Sequence, residues 1–231
     1  MRVLFPLFLF HLWSLPMCFP ATPCRQGQLR LSYSLRFTRR ILAHVQDLLP
    51  QYKEQQLGDP QFEDRSLKME SLPSIAIDSL QWLRMEDWER LSSAAKDLHT
   101  FWVHLDRKRR QIEAETMSHP PKKRKSQTGQ QKPSLTQAMF GIQRDLKDLM
   151  RQVNSQLRCL NSSALPYPAS SSASSVAPPS TTPTLAWQLW ASRQEGYVIL
   201  RDLDRYLGKL ARDFILLTQS RRRGKAFSSQ I

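Results

Sequence analysis

Apolar residues recurring every three or four positions, in four long stretches, constrain this chain more than any other feature. In the first stretch Leu31, Leu35, Thr38, Leu42, Val45, Leu49 and Tyr52 fall on one helical face. The spacing predicts a helix over about 29–56, kinked near its end by Pro50, which lacks a backbone N–H. Leu91, Ala94, Ala95, Leu98, Trp102 and Leu105 predict a second helix over about 86–112. Asp87 and Glu89 favour the dipole of its first turn. Leu135, Met139, Ile142, Leu146, Leu149, Val153 and Leu157 predict a third over about 134–160, with Ser134 as its N-cap. Leu189, Leu200, Leu203, Leu207, Leu210, Phe214 and Leu217 predict a fourth over about 185–219. Gly196 and Gly208 each weaken that helix by about 1 kcal/mol relative to alanine. No stretch alternates as a strand would.

The connections decide how such helices associate. Gly58-Asp59-Pro60 opens a long one over 58–77, broken by Pro73. A short apolar segment, Ile75, Ile77, Leu80 and Trp82, follows it. Residues 113–133 form a polar linker containing Pro120, Pro121 and Pro133. Residues 161–183 are rich in Ser, Pro, Ala and Thr, and such a composition buries too little apolar area to offset ordering. That segment is expected to be a mobile linker. The first and third connections can each run the length of a bundle. The expected fold is therefore all-α: a long-chain four-helix bundle, up-up-down-down, with two long crossover connections. This is the architecture of long-chain helical cytokines.

The amino terminus suggests the compartment. Arg2 precedes an apolar run, Val3–Leu15, of the length of a signal-peptide core. The run is too short and too proline-rich to span a bilayer, so no membrane insertion is expected. Residues 1–18 read as a signal peptide, with cleavage between 18 and 21, leaving 19–231 as one domain that is secreted and extracellular. Cys24 and Cys159 then face an oxidising environment. Two readings stand: the pair forms a disulfide, or Cys159 remains a thiol shielded by a partner. Asn161-Ser162-Ser163 is an N-glycosylation sequon.

No enzyme constellation is visible, and no catalytic residue, cofactor or metal is expected. The five histidines make no HExxH pattern and no i, i+4 pair. Only 7 glycines in 231 residues also argue against a glycine-rich nucleotide-binding enzyme. Lys and Arg outnumber Asp and Glu by 34 to 20, for a net charge of +14. The excess gathers at Arg107–Arg110, at Lys122, Lys123, Arg124 and Lys125, and at Arg221–Lys225. Cations near helix C-termini and in solvated loops account for such runs. Binding of heparan sulfate or another polyanion, foremost by Lys122–Lys125, is the functional alternative. Nucleic acid is not an expected partner, because no aromatic residues interleave with the clusters. Arg107–Arg110 also fits a basic convertase cleavage pattern, although it lies in what should be the final turns of the second helix.

Tryptophan placement is more telling. Trp102 lies on an apolar stripe and reads as core, whereas Trp82 and Trp88 sit in or beside a connection. Trp187 and Trp190 open the fourth helix, and Trp190 lies 27 residues before Leu217, or about 40 Å at 1.5 Å per residue. Tryptophan at a bundle's end either caps the core or anchors a partner, since binding hot spots are enriched in it.

At these positions the chain resembles the interleukin-6/interleukin-12 cytokine family. Leu72-Pro73-Ser74-Ile75, then Trp82, Arg84, Asp87, Glu89, Arg90 and Leu91, is similar to the family's pattern before and into the second helix. Asp145-Leu146-Lys147-Asp148-Leu149 resembles its third helix, and Trp190, Tyr197, Leu200, Leu203, Leu207 and Arg212 its fourth. The Ser/Pro-rich segment and the basic second connection depart from the family. The resemblance implies a cytokine subunit that pairs with a soluble cytokine-receptor-like beta subunit. It then gathers the interleukin-27 receptor alpha chain and glycoprotein 130 to trigger kinase/STAT signalling in immune cells. It further implies that Trp82, Arg84 and Asp87 contact the beta subunit and that Trp190 and Trp187 contact a receptor. The alternatives are another interleukin-6-family cytokine acting alone, or a heparin-binding secreted factor.

Overall fold

The computed structural model describes residues 27–75, 79–118, 133–161 and 185–228. The expected signal peptide, Cys24, the Lys122–Lys125 cluster and nearly all of the Ser/Pro-rich segment lie outside them. Helices are α1 (Gly27–Tyr52), α2 (Ser79–Arg84), α3 (Asp87–Ser118), α4 (Leu135–Asn161) and α5 (Leu185–Ser228). A π-helical turn, Lys53–Leu57, extends α1. No strand occurs among the described residues.

Local chemistry accounts for the helix ends. Pro50 lies inside α1, which continues past it; the wide π-helical turn follows immediately and ends at Gly58, whose φ of 76° is a left-handed cap. At the start of α3 the Glu86 N–H donates to the Glu89 carboxylate at 3.0 Å, one half of a capping box. Ser134 caps α4 by accepting the Gln137 N–H at 3.2 Å.

Two helices outrun their expected ends. α3 does not fade at Ile112, so residues 113–118 are helix rather than linker. Arg109–Glu113 at 2.6 Å and Gln111–Glu115 at 3.0 Å bridge one turn each and support this polar end. α5 continues nine residues past 219, to Ser228.

The packing follows the apolar stripes. α1 lies against α4 and α5, α3 lies against the same two helices, and α1 and α3 make no contact. Hydrogen bonds give each pair its direction. Arg30 at the start of α1 donates to Ser155 near the end of α4 at 3.1 Å. Tyr52 at the end of α1 donates to the Arg193 carbonyl near the start of α5 at 2.9 Å. Arg90 near the start of α3 meets Asp213 far along α5 at 3.0 Å, and Lys108, further on, meets Ser192. Arg109 donates to Gln143 in the first turns of α4 at 2.6 Å. Each contacting pair therefore runs antiparallel.

One core spans all four long helices, from Leu31 and Ile41 through Leu98 and Leu146 to Leu207 and Phe214. The connection after α1 belongs to the same body. Arg201 of α5 donates to the Asp64 and Leu67 carbonyls at 2.7 and 2.8 Å, and Leu72 is buried. The apolar stripe misplaces some side chains. Leu189 and Leu80 are exposed, and Trp102 is only half-buried, stacked beside His99.

Candidate docking surfaces

Trp82 sits on α2, which is clipped to the bundle by buried charge. The Arg90 guanidinium and the Trp82 indole N–H both donate to Asp213 Oδ1, at 3.0 and 2.7 Å. Lys209 approaches the other carboxylate oxygen at 3.5 Å. The Arg90 guanidinium lies 5.2 Å from the centre of the Trp82 ring and donates to the Trp82 and Met85 carbonyls. Arg90 thus satisfies carbonyls at the end of α2 while its charge is balanced by Asp213.

Trp82 is consequently half-buried and its N–H is already used. The exposed groups around it are Leu80, Leu83, Arg84 and Trp88, with Leu83 59% and Trp88 53% exposed. Trp88 and Arg84 line a groove of about 460 Å³ together with Met85 and Glu89. Asp87 accepts from the Ser220 hydroxyl at 3.0 Å at the surface and so ties α3 to α5.

The start of α5 forms the opposite end. Trp187 is 60% exposed. Trp190 is half-buried, edge-on to Phe62 at 6.3 Å, and Phe62 stands edge-on to Tyr197 at 5.1 Å. A polar clamp anchors the next turn. Lys108, 2% exposed, pairs with Glu195 at 2.8 Å and donates to the Ser192 carbonyl and hydroxyl and to Gln111. Gly196 completes it, because a Cβ there would lie 1.9 Å from the Tyr52 hydroxyl oxygen. The glycine read as a weak point in the helix is where the Tyr52 side chain of α1 lies against α5.

Trp82 and Trp190 thus belong to opposite ends. Asp213, which holds Trp82, lies 23 residues along α5 from Trp190, about 35 Å.

Other expected sites fall differently. Arg107–Arg110 lies within α3 rather than in its last turns. Arg107 pairs with Glu195, Arg109 with Asp106 and Glu113, and Arg110 with Asp106. A convertase would first have to unwind this segment. Cys159 is half-buried in the final turns of α4, and Asn161 is the last residue of that helix. No group of three His, Cys, Asp or Glu residues able to hold a metal occurs among the described residues. No helix among them is long and apolar enough to cross a membrane.

The clips at Arg90–Asp213 and Lys108–Glu195 escaped the sequence reading. Their trace is a cation placed where the stripe calls for an apolar residue: Lys108 falls three after Leu105 and four before Ile112. No family model and no curated protein matches the chain.

Proposed function

We propose that the chain is a non-enzymatic cytokine subunit of the interleukin-6/interleukin-12 family, similar to the alpha subunit of interleukin-27. The observation that carries this reading is the contact pattern of the long helices. α1 and α3 are mutually out of contact, and each runs antiparallel to both α4 and α5. That pattern favours an up-up-down-down bundle with two long crossovers, since an up-down-up-down chain would pack α1 beside α3. Arg201 holding the connection after α1 along α5 adds support.

In this reading the chain is secreted and presents one partner to each end. The α2 end takes the receptor-like beta subunit. Trp82 shapes that surface from beneath, and Trp88, Leu83 and Arg84 meet the partner. The α5 start takes a signalling receptor through Trp187 and the outer edge of Trp190. The receptors are those implied by the resemblance, the interleukin-27 receptor alpha chain and glycoprotein 130, and the output is STAT phosphorylation.

The test is a dose–response of STAT phosphorylation in cells bearing both receptors. The chain is supplied together with its beta subunit. Trp190→Ala should reduce potency about tenfold or more, since a hot-spot aromatic contributes about 2 kcal/mol, while pairing is retained. An unchanged response would remove the α5 start from the receptor surface.

A further inference from the structure

The seam between α1 and α4 is a second kind of surface, made of charge rather than exposed tryptophan. α1 contributes Arg30, Arg36 and Arg40, and α4 contributes Arg144 and Arg151. Arg36 and Arg40 are one turn apart on α1, and Arg144 and Arg151 are two turns apart on α4. Arg40 lies 3.9 Å from Asp145, next to Arg144, and Arg30 donates to Ser155, one turn beyond Arg151. Helices packed this way have axes about 8–10 Å apart. The ten residues from Arg30 to Arg40 cover about 15 Å. Arg40 and Arg30 thus border the seam at two places along it.

Local acids offset only part of this charge. Asp145 lies largely buried under Arg40 and His44, and Asp148 pairs with Arg151 at 2.6 Å. Arg36 and Arg144 are exposed and enter no ion pair among the described residues. Arg30 and Arg151 also line a shallow groove of about 410 Å³ with Tyr33, Ser34, Gln152 and Ser155. Tyr33 lies flat against Phe37, with ring centres 6.2 Å apart, and Arg40 covers the Phe37 ring at 4.6 Å. Phe140, the other exposed aromatic of these two helices, lies beneath Arg109 toward α3.

We propose that this seam binds a sulfated glycosaminoglycan. Planar guanidinium forks match sulfate and carboxylate groups in pairs. A line of such forks suits a linear polyanion, which needs no apolar anchor, whereas a protein partner draws most of its affinity from a buried aromatic or aliphatic centre. One exposed tyrosine is too little to stack successive nucleic-acid bases. The assignment differs from a role for Lys122–Lys125, because here the charge is held on two packed helices. It is also independent of the receptor reading, since it concerns the purified chain alone.

Surface plasmon resonance on immobilised heparin at physiological salt tests it with three variants of the full chain. Arg36→Ser with Arg144→Ser removes two exposed, unpaired charges and should weaken binding about tenfold. Arg65→Ser with Arg205→Ser removes the same net charge elsewhere and should weaken it less than about twofold. Circular dichroism should show all variants equally helical. Equal loss from both pairs would overturn the proposal. So would loss confined to a third variant in which Lys122–Lys125 are neutralised. Desulfated heparin should fail to compete for the seam. Single-stranded DNA that competes as well as heparin at matched charge would likewise overturn it.

Discussion

At the residue scale Gly196 and Gly208 of α5 separate cleanly. Both read as helix-weakening in the sequence, yet only Gly196 has a neighbour where its Cβ would be. Gly208→Ala should stabilise the protein by about 0.5–1 kcal/mol, the difference in helix propensity. Gly196→Ala should destabilise it by about 1–3 kcal/mol, because the methyl group would meet the Tyr52 ring and hydroxyl. Urea unfolding of the two variants gives the comparison, and shifts of the same sign would refute the close approach. The sequence could not distinguish them: helical periodicity records which face a residue occupies, not which side chain crosses from another helix. Trp88 is a similar case. It looked equivalent to Trp82, but Trp82 is committed to Asp213, whereas Trp88 stands bare. Trp88→Ala should weaken beta-subunit pairing about tenfold or more and leave thermal stability within about 0.5 kcal/mol of the parent. Co-purification and a melting curve check both halves. His104 adds a pH term. Burial, and then the Arg107 charge, hold its pKa below the ordinary value of 6.5. Between the depressed folded value and 6.5 the unfolded chain binds more protons, so stability falls as pH drops through that interval. His104→Gln should flatten that part of a stability–pH curve. An unchanged slope would assign the pH dependence to other groups.

At the element scale, helix existence was legible and helix ends less so. Stripes such as Leu135, Met139, Ile142, Leu146, Leu149 and Val153 identified α4 almost to its final residue, because its apolar face is continuous and Ser134 caps it. α3 ran longer than its stripe because its last turns rest on polar pairs one turn apart, which carry no hydrophobic period. The two-turn helix α2 was not resolved as a helix of its own. It is held by Arg90 and Asp213, on α3 and α5, and Asp213 lies 131 residues from Trp82, beyond any window of neighbouring residues. Asp213→Ala should leave the Arg90 charge buried without its counter-ion. The expected cost is about 3–5 kcal/mol, accompanied by increased exposure of Trp82 and a red-shifted emission. A loss below about 1 kcal/mol would mean that the pair behaves as an exposed surface bridge and that α2 is held by other contacts.

At the scale of the whole molecule, the described residues are all-helical, and α1 and α3 each pack against α4 and α5. The ends of the body are set by α5. Its start carries Trp187 and Trp190, and Asp213, farther along, carries α2 through Trp82. About 35 Å of rigid helix separates the two places, which leaves room for a protein on each. The basic seam of α1 and α4 lies between them, on the flank. The sequence indicated the tryptophans by their positions beside connections. It did not indicate their degree of exposure, which depends on Phe62, Arg90 and Asp213, residues distant along the chain. The most direct measurement of the central claim is mass photometry of the chain mixed with the receptor-like beta subunit and the glycoprotein 130 ectodomain, each at equal concentration. The account predicts a 1:1:1 species, reduced to the chain–beta pair by Trp190→Ala and to the chain–glycoprotein 130 pair by Trp88→Ala. Mutually exclusive binding of the two proteins, or no complex with either, would contradict it.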